Sequence, residues 1–113
     1  MKTEDFLKVV KETIDMCIST LIGKDKEYAR NDDKFHNFKR GVSLEAKTPE
    51  KVLRGMMTKH VISIYDYIDD LENGIDHSLK EWDEKLKDNI NYLLILRGLL
   101  IERYTDKGRV SDA

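Results

Sequence analysis

The sequence contains a single cysteine, no long apolar run and almost no excess charge of either sign. One cysteine, Cys17, excludes an intramolecular disulfide. Because Cys17 lies at helical spacing from Ile14, Ile18 and Leu21, we expect it to be a small buried residue rather than a nucleophile. The strongest apolar run, Tyr92–Leu96, is too short to span a bilayer.

The net charge is small, because 20 basic and 22 acidic residues leave only −2. We therefore expect no general attraction to nucleic acid or to an anionic membrane. The first five residues begin neither a signal peptide nor a transit peptide, and we expect a cytoplasmic protein. Three kinds of site are disfavoured by missing motifs, because the chain has no Gly-rich phosphate loop, no paired-cysteine metal motif and no His-Glu-x-x-His sequence.

Charged residues of both signs are abundant in the sequence. Charged residues make up 37% of the chain, against roughly 25% in ordinary globular domains. Such a mixture is typical of amphipathic helices with solvated outer faces. We predict an all-α fold, a small helical bundle forming one domain over 1–104, followed by a polar, frayed tail over 105–113.

Two helices are predicted in the first half of the chain. Apolar residues at helical spacing indicate a first helix over Thr3–Ile22, and Gly23 is a suitable residue to end it. The segment 24–46 is less regular. Within it, Phe35 and Phe38 indicate a short second helix that lays two aromatic rings on the core.

Two long helices are predicted at the centre of the fold, over Thr48–Glu72 and Ser78–Tyr104. A capping threonine followed by proline and an acid begins the first of them, and Gly74 ends it. Ser78 and Glu81 form a capping box at the start of the second. The short connection makes an antiparallel hairpin in which facing residues have numbers that sum to about 150.

The segment Ile90–Ile101 is apolar on nearly all sides, which indicates burial on more than one side. Gly98 lies within it, although glycine in a helix costs about 1 kcal/mol relative to alanine. A close approach of another helix would explain this glycine. We therefore predict a homodimer with this segment in its interface; the alternative is that the second helix alone covers the segment.

Polar residues recur at steps of three and four along one stripe of each long helix. These residues are Lys59, His60, Ser63, Asp66 and Asp70 on the third helix and Glu84, Asp88 and Asn91 on the fourth. In the hairpin, Asp66 is expected to face Glu84, and His60 to face Asn91. Because carboxylates this close repel one another and Mg²⁺ binds their oxygens, Asp66, Glu84 and Asp88 are the predicted metal ligands.

The same acidic residues have a second interpretation. Acids on long charged helices are often solvated or paired with a lysine one turn away, as Glu84 would be with Lys87. Asn91 is harder to explain as a surface residue, because it lies in an apolar stretch. A buried amide needs hydrogen-bond partners, and Asp88 and His60 are the candidates.

Four segments together resemble a known family. They are Lys24–Ala29, Phe35–Phe38, Lys59–Asp66 and Lys87–Leu93. In this order they are similar to small phage and prophage helical proteins described as nucleotide-modification-associated or MazG-like. The resemblance implies an all-α, often oligomeric bundle. For the MazG-type nucleoside triphosphate pyrophosphohydrolases it also implies Mg²⁺ held by helix carboxylates and hydrolysis between the α- and β-phosphates.

The sequence departs from the MazG pattern at both acidic motifs. The family carries Glu-Glu-x-x-Glu on one helix, where this chain has only Asp66 followed by Asp69 and Asp70. The family carries Glu-x-x-Asp on the next helix, where Lys85 stands three residues before Asp88.

Two functions follow as hypotheses. The first is a Mg²⁺-dependent nucleotide-binding protein, with or without pyrophosphohydrolase activity. Its predicted nucleotide contacts are Lys24, Lys26, Lys59, His60 and Asn91. The second is a non-enzymatic helical interaction protein, such as a phage accessory factor, that binds a host protein through exposed faces of the first two helices.

Overall fold

The computed structural model describes residues 1–28, 33–42 and 48–106, with only the backbone described for 24–28 and 106. These residues form four helices and no strand, which confirms the all-α prediction. The helices are α1 (Thr3–Tyr28), α2 (His36–Val42), α3 (Pro49–Glu72) and α4 (Leu79–Asp106). None of the described helices has the length and apolar character needed to cross a membrane.

The first helix is longer than predicted. Gly23 does not end α1, which continues to Tyr28. A glycine inside a helix costs only about 1 kcal/mol, and a helix is ended by a change of backbone direction rather than by glycine itself. The residues at 24–27 are lysine, aspartate, lysine and glutamate, which continue the helix well enough to offset that cost.

The third helix begins and ends as predicted. The Thr48 hydroxyl accepts a hydrogen bond of 3.2 Å from the Lys51 backbone N–H, and proline occupies the first turn. At the other end, Gly74 has φ of +74°, a left-handed conformation that favours glycine. Its N–H donates to the Leu71 carbonyl, and the next N–H donates to the Asp70 carbonyl. These two bonds form a Schellman motif that turns the chain into the hairpin.

Contacts across the hairpin confirm the predicted register. Tyr67 lies beneath the Lys85 ammonium group, and the His60 and Tyr92 rings are 5.0 Å apart. α4 continues to Asp106, two residues into the predicted tail, and 107–113 lie outside the described residues.

The two ends of the hairpin that lie farthest from the turn are joined by a bidentate ion pair. Arg103 donates from Nε and Nη2 to the two carboxylate oxygens of Glu50, at 2.9 and 2.6 Å. The Arg103 guanidinium is the main reason why the pKa of Glu50 is lowered. Two parallel bonds of this kind fix the geometry of both side chains.

The short helix α2 covers one end of the hairpin. Asp33 precedes it and accepts a 3.0 Å hydrogen bond from the Phe35 N–H. The core lies beneath α2, and its buried residues are Phe38, Leu53, Tyr92, Ile95 and Leu99. α4 contacts both α1 and α3, whereas no Cα atom of the described parts of α1 and α3 comes within 8 Å of the other helix.

Gly98 has a different explanation from the predicted one. A Cβ atom on Gly98 would lie 2.7 Å from Cζ of Phe35, so the glycine makes room for an aromatic ring of the same chain. This contact favours the alternative in which the α2 segment covers this part of α4. Leu93 and Leu94, on other sides of the same helix, remain exposed.

Candidate functional site

The structure brings His60 and Asp88 close to one another, whereas the predicted register placed His60 opposite Asn91. The His60 Nδ1 atom lies 3.8 Å from an Asp88 carboxylate oxygen, and its Nε2 atom lies 3.3 Å from the Tyr92 hydroxyl. Asn89 donates 3.2 and 2.8 Å hydrogen bonds to the carbonyls of His60 and Lys85. We call His60, Asp88, Asn89, Asn91 and Tyr92 the polar centre.

Asn91 is the exception within the polar centre. Its side chain is only 5% exposed, and neither its amide nitrogen nor its amide oxygen has a hydrogen-bond partner. The prediction that Asp88 or His60 would pair with this amide is wrong, because the amide has no partner and the His60 ring lies next to the Tyr92 hydroxyl instead. A buried amide without partners costs about 1–3 kcal/mol for each unsatisfied group.

The predicted metal ligands do not form a metal-binding group. Across the described side chains, those of 1–23, 33–42 and 48–105, no three His, Cys, Asp or Glu residues are arranged to hold a metal ion. Glu84 lies 3.0 Å from the Lys87 ammonium group, which is the alternative pairing considered for it. Asp66 is exposed, and it precedes Tyr67, the residue that contacts α4. Successive side chains of a helix differ by about 100°, so Asp66 projects away from Glu84.

Only some of the predicted nucleotide contacts belong to the polar centre. Lys59 precedes His60 and is exposed, because the same rotation turns it away from α4. The side chains of Lys24 and Lys26 lie outside the described residues. His60 and Asn91 are the two predicted contacts that lie within the polar centre.

Cys17 is buried, as predicted. Burial raises the pKa of its thiol, and the nearby Lys87 ammonium group opposes that effect only in part. A thiol held in its neutral form is a poor nucleophile. Cys17 therefore acts as a small packing residue between α1 and α4.

A second polar cluster at the hairpin turn was not predicted. His77 is clamped between two carboxylates, with Nε2 2.6 Å from Asp70 and Nδ1 3.2 Å from Glu81. Its ring stacks on Tyr67 at 3.7 Å, and Tyr67 in turn meets Trp82 edge-on at 5.2 Å. The spacing of His77 and Glu81, four residues apart at a helix start, is the sequence signal that points to this cluster.

The clamp favours the protonated imidazole, because only an imidazolium ion donates from both ring nitrogens. The hydrogen bond to Asp70 is the largest cause of the raised pKa of His77, and the bond to Glu81 adds to it. The same contact with His77 is the main cause of the lowered pKa of Glu81.

The raised pKa of His77 predicts a pH-dependent stability. Protonated His77 stabilises the fold. This contribution is fully present below the pKa of histidine in the unfolded chain, about 6.5. It is lost as the pH rises through the higher pKa of His77 in the folded protein. Wild type should therefore lose more thermal stability than His77→Gln between pH 5 and pH 9, a window chosen to span about 6.5. Fluorescence of Trp82, the single tryptophan, reports the transition.

Asp70→Asn is the matched control for this titration. It removes the largest cause of the shift, so the midpoint should move down toward the ordinary histidine value. An unchanged stability difference between wild type and His77→Gln across the whole pH range would show that the clamp holds no proton.

Apolar side chains are exposed along most of α1. The large ones are Phe6, Leu7, Val9, Ile14, Ile18 and Ile22, and each is between 41 and 67% exposed. We call these six residues the α1 surface. Three of these residues, Phe6, Val9 and Ile14, also line an open groove of about 330 Å³, together with Val10, Thr13 and Cys17 of α1 and Ile90 of α4.

Apolar side chains on the other long helices are exposed as well. They are Ile62, Tyr65, Ile68 and Leu71 on α3 and Leu79, Leu86, Leu93, Leu94 and Tyr104 on α4. Single exposed apolar residues are common on any protein, but contiguous patches mark interaction sites. Among the described helices, α1 carries the most exposed large apolar side chains, the six residues of the α1 surface.

No protein-family model, no curated protein and no solved structure matches the chain. Its own residues therefore provide two places where function is to be sought. One is the polar centre with its unpartnered Asn91 amide, and the other is the α1 surface with the adjoining groove.

Proposed function

We propose that the protein is a non-enzymatic helical interaction protein that packs the α1 surface against an amphipathic helix of another polypeptide. The observation that carries this proposal is the exposure of six large apolar side chains on one helix. Charged residues make up 37% of the chain. A sequence so rich in charge has ample polar residues for a solvated helix, so an apolar face left open indicates a partner.

The spacing of the apolar residues matches recognition of one helix by another. Helix-in-groove interfaces use anchors spaced by three and four residues, and Leu7, Val10, Ile14 and Ile18 follow one another at steps of three, four and four. Burying a half-exposed leucine or isoleucine contributes about 1 kcal/mol. Several such side chains acting together are sufficient for a specific complex without any catalytic group.

Site-specific photo-crosslinking tests this proposal on the full chain in the cells where the protein acts. A photoreactive amino acid at Ile18, within the α1 surface, should give a discrete crosslinked product. The matched control is the same amino acid at Glu12, an exposed polar position on the opposite face of α1. A product from Glu12 but not from Ile18, or no product from either, would contradict the proposal.

A second function is favoured by the polar centre. We propose as the alternative a Mg²⁺-dependent nucleotide-binding protein of the phage MazG-like type, as the resemblance implied. Asn91 supports it, because its free donor and acceptor match those of a purine edge. Asp88 supplies one carboxylate, and Mg²⁺ is commonly bound by one or two carboxylates together with substrate phosphates. In this proposal Lys24, Lys26 and Lys59 neutralise the phosphates.

The alternative is tested by thermal unfolding with nucleoside triphosphate and Mg²⁺. Ligand at about 100 times its dissociation constant stabilises a folded protein by about 2.7 kcal/mol, so the melting temperature should rise by several degrees. Asp88→Ala should abolish the rise, whereas Asp83→Ala, at a nearby acidic position outside the polar centre, should retain it. Absence of any shift with the common nucleotides would contradict the alternative.

A further inference from the structure

The apolar positions of α1 are arranged symmetrically about one residue. From Leu7 the steps along the helix are three, four, four and three residues, through Val10, Ile14 and Ile18 to Leu21. Phe6 and Ile22 extend the pattern by one residue at each end. Phe6, Leu7 and Val10 thus have apolar counterparts at the same distances after Ile14, whereas the counterpart of Val9 is Ser19.

A pattern of this kind is what a two-fold symmetric interface requires. In such an interface one surface patch meets the same patch of a second copy, and residue i contacts j while j contacts i. When two copies of α1 lie antiparallel with Ile14 opposite Ile14, Leu7 faces Leu21 and Val10 faces Ile18. Each apolar side chain of this symmetric set then meets another apolar side chain.

Exposure in the isolated chain agrees with this arrangement. Leu7, Ile14, Ile18 and Ile22 are all about half exposed, while Val10 and Leu21 are partly covered by the rest of the chain. Ile14 lines the groove beside Cys17, whereas Leu7, Ile18 and Ile22 lie outside it. A second helix packed on these four residues does not need to displace α4.

Charge also favours the antiparallel orientation. Lys11 and Asp15 are both exposed on the same flank of the apolar stripe. About the Ile14 axis, Lys11 of one copy comes within about 3 Å, measured along the helix axis, of the level of Asp15 of the second copy. A parallel pair would align the two helix dipoles and place the acidic first turns side by side, which is unfavourable.

We propose that two copies of this chain associate through α1, antiparallel, with a two-fold axis passing beside Ile14. This inference rests on the proposed interaction function and names its partner as a second copy. The contact extends over about 24 Å of helix from Phe6 to Ile22. Each chain thereby covers the residues of the other's α1 surface apart from Val9.

Cysteine crosslinking tests the axis directly. In a Cys17→Ala background, Ile14→Cys lies opposite its own copy, within the Cα separation of about 4.4–6.8 Å that a disulfide needs. Mild oxidation should convert most of the protein to a covalent dimer of twice the 13.2 kDa chain mass. Leu7→Cys alone should not crosslink, because its two copies are about 21 Å apart along the axis. Leu7→Cys combined with Leu21→Cys should restore the crosslink.

Light scattering of the unmodified chain provides a second measurement that needs no variant. A dimer mass that falls to the monomer value in Ile14→Asp supports the proposal. A monomer for the unmodified chain, or equal crosslinking of Leu7→Cys and Ile14→Cys, overturns it. If the chain is monomeric but Ile18 still photo-crosslinks to a polypeptide of another mass, the second-copy proposal fails while the interaction function stands.

Discussion

Phe38→Ala is expected to lower the free energy of unfolding by about 3–5 kcal/mol, the usual cost of truncating a buried phenylalanine. Phe38 is 0% exposed and packs with Leu53 and Tyr92 in the core. A domain of this size has a total stability of about 5–15 kcal/mol. This single change therefore removes a large share of it.

The position of Phe38 in the fold explains why a large destabilisation is expected. α2 has seven residues, and isolated helices shorter than about 12–15 residues are marginal in water. The helix is held in place by what it buries, and Phe38 is its one fully buried side chain. Loss of that ring removes the main reason for α2 to stay on α3 and α4.

Urea denaturation followed by circular dichroism measures this change. Phe6→Ala is the matched control, because it removes the same ring from a position that is 55% exposed. Measured on dilute protein, it should cost less than about 1 kcal/mol, in proportion to the smaller apolar area that it uncovers. Equal destabilisation by the two variants would show that α2 does not cover the core.

The parts of the fold that were predicted correctly are those fixed by local chemistry. Thr48 and Pro49 begin α3, and Gly74 ends it, because capping and left-handed backbone depend on the residue at that one position. The hairpin register followed from the short turn. The end of α1 was predicted wrongly because Gly23 permits a helix to end without requiring it.

Only those parts of the candidate site that depend on the hairpin register were predicted. His60 and Asp88 come together because facing positions of a hairpin are fixed by the turn. Asp66 and Lys59 were assigned to the same stripe, but each is one residue away from the side chain that contacts α4. The His77 clamp depends on the path of the turn back over Tyr67, which no helical periodicity encodes. Similarly, the apolar stripe of α1 was readable, but its exposure depends on how few helices the chain has to cover it.

Asn91→Leu is expected to raise the free energy of unfolding by about 1–3 kcal/mol, against the usual direction of core substitutions. Leucine keeps the branched shape of asparagine and has as many side-chain heavy atoms. The substitution removes a buried donor and a buried acceptor that have no partners. The variant is more stable because it no longer carries the desolvation penalty of the buried amide in the folded state.

Asn89→Leu is the matched control, two residues away on the same helix. The Asn89 amide donates to two backbone carbonyls, so its removal should cost about 1 kcal/mol. Opposite signs for the two variants, in the same urea titration, would establish that Asn91 is retained at a cost to stability. Asn91→Ala is a second control that removes the amide without the bulk of leucine. It should leave the free energy of unfolding nearly unchanged if the amide has no partner.

Natural sequences keep a destabilising buried polar group where function requires it. If Asn91→Leu is more stable but loses the nucleotide-induced rise in melting temperature, the amide serves a ligand and the polar centre is the functional site. If it is more stable and still dimerises through α1, the amide is not needed for the interaction function. If Asn91→Leu is instead less stable than wild type and Asn91→Ala is too, the amide has a stabilising partner in solution, and its place in the fold is structural.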